Sequence, residues 1–138
     1  MPNINVIDDH FKINGVQPEL VLLTKKFVCV GDEKLIRASK PCKVYKWLNL
    51  GATVYSNGSI VFTIFFRGVS ESDRVTWIDH LTPIIREIYG QETADWYRKH
   101  IEDTFNQPWG WVIGNYRIEM QYNTPNNMIL INIVPDKK

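Results

Sequence analysis

The chain has 138 residues with 44% hydrophobic and 22% charged, an ordinary composition for one domain, which argues against a disordered chain and allows a core without disulfide staples. Net charge is +1, without the basic excess expected of a phosphate-binding domain, and two cysteines, Cys29 and Cys42, fall short of a disulfide framework. No charged segment followed by an apolar run opens the chain and no apolar stretch approaches membrane length, so a cytoplasmic protein with no membrane segment and with reduced thiols is expected.

In chain order, His10–Ile13 alternates before Asn14-Gly15, a turn pair favoured in hairpins, and Val16 resumes the strand. Residues 19–30 read as a helix, because Leu20, Leu23, Phe27 and Val30 recur at helical spacing and Gly31 stands at a C-cap position. Strand candidates follow at 34–38, 43–48, 52–56 and 59–66, with Asn57-Gly58 closing a hairpin over 52–66. Residues 67–73 read as a linker. Thr82-Pro83 has the form of an N-cap followed by proline at N1, which starts a helix there. A further helix begins near Thr93 with the stripe Ala94, Tyr97, Ile101 and Phe105, and Asn106-Gln107-Pro108 ends it. Tyr116, Ile118, Met120 and Tyr122 then alternate with polar residues, and 128–134 supplies an apolar partner strand.

Two blocks share one pattern of aromatic, aliphatic, glycine, strand, turn and apolar strand. One runs from Trp47 through Gly51 to Phe66 and the other from Trp111 through Gly114 to Val134. The expectation is therefore an α+β fold in a single domain over 1–138. Its antiparallel sheet is built from two helix-plus-hairpin halves, 8–66 and 74–134, in the manner of an internal repeat, with the helices packed on one face.

Residues that carry chemistry are few. Asp79-His80 are neighbours in sequence and so face apart. Cys42 lies among Lys40, Lys43 and Lys46, a setting that lowers a thiol pKa, whereas Cys29 sits in an apolar run and reads as inert core. The Cys/His spacing of a zinc site, a phosphate loop and a nucleophile elbow are all missing, so no metal, cofactor or catalytic residue is assigned. Lys34, Arg37, Lys40, Lys43 and Lys46 recur every third residue, which fits either an edge strand guarded by lysines or a weak nucleic-acid contact. On the helix from Thr93, Trp96 and His100 form a stripe beside Glu92, Lys99 and Asp103, which fits either a partner-binding hot spot or the boundary of the core. Asp103, one turn from His100, fits an orienting contact to its ring less well than the ordinary charge pairs of an exposed helix face.

Phe11-Lys12-Ile13-Asn14-Gly15, the apolar run ending near Gly31, and Val44-Tyr45-Lys46-Trp47-Leu48-Asn49-Leu50-Gly51-Ala52-Thr53-Val54-Tyr55-Ser56-Asn57-Gly58 together resemble small bacterial immunity-like domains of polymorphic toxin systems, over roughly residues 8–66. The resemblance implies a protein that binds and neutralises one cognate toxin domain, with no catalytic residues. Immunity proteins that block nucleases are often markedly acidic, and this chain departs from that pattern. Three functions therefore stand open: a protein-binding module of that kind, a small enzyme or ligand-binding protein with a site dispersed over Asp79, His80 and Cys42, and a nucleic-acid binder through Lys34–Lys46.

Overall fold

Residues of alternating polarity form strands because one sheet face can then be buried while the other meets water. A computed structural model, which describes residues 12–34, 41–55 and 57–136, realises this alternation along five strands. In chain order the elements are α1 (Pro18–Thr24), β1 (Val28–Lys34), β2 (Pro41–Trp47), β3 (Leu50–Tyr55), β4 (Ile60–Phe65), α2 (Glu71–Tyr89), α3 (Gln91–His100), a 3-10 turn (Ile101–Phe105), β5 (Trp109–Ile113), β6 (Tyr116–Asn123) and β7 (Met128–Pro135). The strands make one antiparallel sheet in the order β1-β2-β3-β4-β7-β6-β5. The fold is α+β, as expected.

Apart from β1, the strand order is symmetric about the junction of β4 and β7. β2-β3-β4 and β5-β6-β7 are each an antiparallel run, and their last strands, β4 and β7, meet in the middle with Phe62 opposite Ile131 and Ile64 opposite Ile129. The two-residue turns of the halves are Leu48-Asn49 and Gly114-Asn115, each opening on a left-handed residue (Leu48 φ 51, Gly114 φ 58). Topology thus sets Trp47 on Ile113, rather than on Trp111 as the sequence pattern suggests.

One face carries the core. Leu50, Ala52 and Val54 of β3, Ile60, Phe62 and Ile64 of β4, Ile118 and Met120 of β6, and Ile129, Ile131 and Ile133 of β7 are all buried. Against them α2 lays Ile78, Leu81, Ile84, Ile85 and Ile88, and α3 lays Ala94 and Tyr97. Each such side chain removed from water contributes about 1.5–3 kcal/mol before the cost of ordering the chain. Tyr97 is fully buried and donates its hydroxyl to the Ile78 carbonyl at 2.9 Å, so burial pushes its pKa well up and the phenol stays neutral.

Three expectations need correction. The helix read over 19–30 stops at Thr24, Lys26 takes φ 77, and Val28 begins β1, with Gly31 inside the strand. The buried side of α1 is Pro18, Val21 and Leu22, while Leu20 and Leu23 are exposed. The linker and the start at Thr82 give way to one helix from Glu71, capped by Ser70, whose hydroxyl accepts from Asp73 N; Pro83 lies inside it, where it forgoes one helical bond. Finally, Trp109–Ile113 is a strand of its own. Asn14 and Gly15 do form the expected turn, with Ile13 and Val16 exchanging backbone bonds of 2.8 and 2.9 Å. His10 and Phe11, and residues 35–38 of the first strand candidate, lie outside the described residues.

Candidate functional site

The helical period of α3 places Trp96 and His100 one turn apart on one side of the helix, both half-buried, with Trp96 packed against the rim of the core. Their rings stack at 4.5 Å, and His100 meets Trp109 of β5 at a further 4.5 Å. His100 Nδ1 lies 2.9 Å from the Trp96 carbonyl oxygen, and because a carbonyl only accepts, that nitrogen carries the proton. The carboxylate of Asp103, one turn on from His100, makes its hydrogen bonds elsewhere. Asp103 accepts from Gln107 Nε2 at 3.0 Å, from Asn106 Nδ2 at 3.4 Å and from Trp109 Nε1 at 3.2 Å. The Gln107 and Asn106 bonds, then that of Trp109 and the nearby imidazole, hold the Asp103 carboxyl below its ordinary range. Asp103 therefore ties the end of the 3-10 turn to the first residue of β5. Glu92 and Lys99 are exposed and lie together beside Trp96 on the same helix. Of the five residues expected on this surface, the structure brings Trp96, His100 and Asp103 into one cluster and adds Trp109.

Trp111 is the residue that sequence reasoning missed. It follows Trp109 on the same strand face, is 63% exposed, and stands beside Val112, 43% exposed. The available signal was the alternation Trp109-Gly110-Trp111, which has the period of a strand. On the opposite sheet face Gly110 leaves a groove of about 550 Å³ lined by Val61, Trp109, Gly110, Glu119, Leu130 and Asn132.

β5 also closes the sheet. Among the described residues it pairs with β6 alone, with Ile113 opposite Tyr116 across a two-residue turn. Such a turn is closed by a pair that exchanges both backbone bonds. The bond from Asp136 N to Asn115 O, 2.8 Å, fixes the same parity from the other side, because odd-numbered residues of β6 then turn toward β7 and even-numbered ones toward β5. Ile113, Trp111 and Trp109 therefore spend their backbone groups on β6. The N–H and C=O of Gly110 and Val112 point away from the sheet.

The other candidates are held apart. Asp79 accepts from Arg98 Nε at 2.7 Å, and the same guanidinium bonds Glu102 at 2.7 Å. His80 instead stacks on Trp47 at 4.4 Å, with Nε2 3.0 Å from the Lys25 carbonyl oxygen. Cys29 is exposed rather than core, and Cys42 stands opposite Glu33 and Tyr55 in the ladder. The lysine series does not share a face, since a spacing of three in a strand alternates sides. Lys43 bonds Glu19 at 2.9 Å, with Tyr45 donating to the same oxygen at 2.7 Å, while Lys46 is exposed at a register position of opposite parity. Arg37 and Lys40 lie outside the described residues. Among the described residues no group of three or more His, Cys, Asp and Glu could hold a metal, and no helix is long and apolar enough to cross a membrane.

Compared with known proteins, the chain matches no family model, no curated sequence and no solved structure.

Proposed function

We propose that this is a protein-binding module, of the immunity type, which neutralises a cognate bacterial toxin domain in the cytoplasm by occluding it. The observation that carries the reading is the half-buried ring series Trp96–His100–Trp109, stacked at its first contact and tilted at its second, with exposed Glu92 and Lys99 beside it. Aromatic rings held rigid among charges lose little entropy on docking, and such residues dominate the energetics of interfaces. Asp103 fixes Trp109 from behind, so the rings are ordered before a partner arrives.

The test is co-expression with the product of the neighbouring gene. The two proteins are expected to co-purify and the toxic activity to be suppressed. Trp96→Ala is expected to weaken the complex by about 2 kcal/mol or more while leaving the fold intact. A module that neither binds nor protects against that product contradicts the reading.

A further inference from the structure

We infer that β5 is a dimerisation edge, on which a second copy of this chain adds its own β5 in antiparallel register about a two-fold axis at Trp111. This goes beyond the toxin-binding reading, which rests on the α3 rings together with Trp109 of β5. Sedimentation reads self-association and co-purification reads toxin binding, so the failure of one is distinguishable from the failure of the other.

The ladder itself supplies the first argument. Gly110 and Val112 present their N–H and C=O outward, and an axis at Trp111 sets Gly110 opposite Val112 of the second copy, and the reverse. Both are then bonded pairs, giving four bonds between copies. Trp111 falls on the axis as a pair that makes no ladder bonds, the geometry in which opposed side chains come closest, about 4.5 Å between Cα atoms. The two exposed indoles thus cover each other. Trp109, half-buried, falls opposite Ile113, so the core face continues from one copy into the next.

Charge supplies the second. β5 has no charged residue, so a self-pairing places no like charges in direct opposition. On the far face the cross-strand neighbours of Val112 and Gly110 are Arg117 and Glu119. The same axis aligns them as Glu119, Gly110, Val112 and Arg117, the last two from the second copy, and repeats the row in reverse. Each glutamate thereby lies in line with an arginine of the other copy, three strand spacings or about 14 Å away between Cα atoms, so the match is one of complementary potential along the row. Within one chain Arg117 and Glu119 are 4.0 Å apart and half exposed, so both charges stand at the surface that meets the second copy. An arbitrary foreign strand would not supply this match, and a second copy supplies it twice.

Sedimentation of the purified full chain over a range of concentrations tests the assignment. The wild type is expected to sediment as a monomer–dimer equilibrium. Trp111→Lys, which sets two ammonium groups on the axis, is expected to weaken it by about a hundredfold or more. Arg117→Glu makes the row all acidic and Glu119→Arg makes it all basic. Each alone is expected to weaken self-association about tenfold or more, and an equimolar mixture is expected to form a 1:1 heterodimer. Circular dichroism confirms that each variant is folded. A wild type that stays monomeric at every concentration overturns the assignment, as does a dimer indifferent to Trp111→Lys. Two charge variants that fail to pair on mixing overturn it as well, and so does a monomer whose β5 edge is taken by the neighbouring gene's product.

Discussion

Along β1 the pairing with β2 skips a residue between Cys29 and Gly31, and the strand runs out through Asp32, Glu33 and Lys34. Along β5, at the far side of the same sheet, five residues without a charge pair in unbroken register with β6. A bulge and charges are what keep a sheet edge from accepting another strand. Regular, apolar strands without them are either hazards or binding sites. The residues behind each edge differ in the same sense. Behind β1, Glu19 of α1 clasps Lys43 and Tyr45 of β2 through two short polar bonds. Behind β5, Trp96, His100 and Trp109 stack through their rings, and Trp111 continues the strand face into solvent. The difference assigns structure to one edge and recognition to the other.

The largest effect expected from testing this contrast concerns backbone direction. Proline at position 111 removes a bond to β6 and is expected to cost about 3 kcal/mol relative to alanine at the same site. Val112→Pro removes only an outward N–H and is expected to stay within about 1 kcal/mol of wild type, as edge prolines do. Urea denaturation measures both, and equal losses would show that the parity of β5 has been misassigned. Next, Trp109→Ala strips the ring that joins α3 to β5 and is expected to cost about 3 kcal/mol by the same measurement.

Glycine sharpens the contrast further. A Cβ at Gly51 would sit 2.5 Å from Thr63 Oγ1, whereas at Gly110 nothing lies nearer than Glu119 Cγ at 3.7 Å. Gly51→Ala is expected to destabilise by about 1–3 kcal/mol through overpacking. Gly110→Ala is expected to be neutral, or to stabilise by up to about 1 kcal/mol through the loss of glycine's freedom in the unfolded chain. A melting series that reverses this order would mean that the edge is packed as tightly as the interior.

The smallest effect belongs to the clasp behind β1. Burial alone would raise the Glu19 pKa, but the bonds from Tyr45 and Lys43 and the charge of Lys43 outweigh it, and the folded value lies below the ordinary one. The carboxylate therefore stabilises the fold fully above the unfolded value of about 4.3, and that contribution is lost as pH falls through the lower folded value. Because the pair is partly exposed, Glu19→Gln is expected to cost about 1 kcal/mol at neutral pH and to flatten the acid limb of the stability profile. An acid limb unchanged in the variant would remove the clasp from the account.

The same contrast explains what could be read in the sequence. β2, β3, β4, β6 and β7 are flanked on both sides by other strands, and in β4, β6 and β7 buried residues alternate with less buried ones, as in Ile60, Phe62 and Ile64. Each edge strand lacks that signal. Val28–Val30 has three exposed residues in a row, and an accidental helical spacing with Leu20 and Leu23 masked it, although those two leucines face water. Trp109–Ile113 is short and interrupted by glycine. Thr82-Pro83 imitates a helix start within α2, because the buried Ile78 and Leu81 on one side and Ile84 and Ile85 on the other hold the helix together across the proline. At the candidate site the stacking of Trp96 on His100 was legible, being one helical turn apart. Trp109 was not, because its contact is made by chain folding and no local period reports it.

Amide hydrogen exchange at Gly110 and Val112, followed as the protein is diluted, tests most directly whether β5 is an open edge that a second copy closes. These two amides are expected to exchange rapidly at low concentration and to become protected as concentration rises, while the amide of Trp111, bonded to β6, stays protected throughout. Exchange at Gly110 and Val112 that does not respond to concentration would contradict the account.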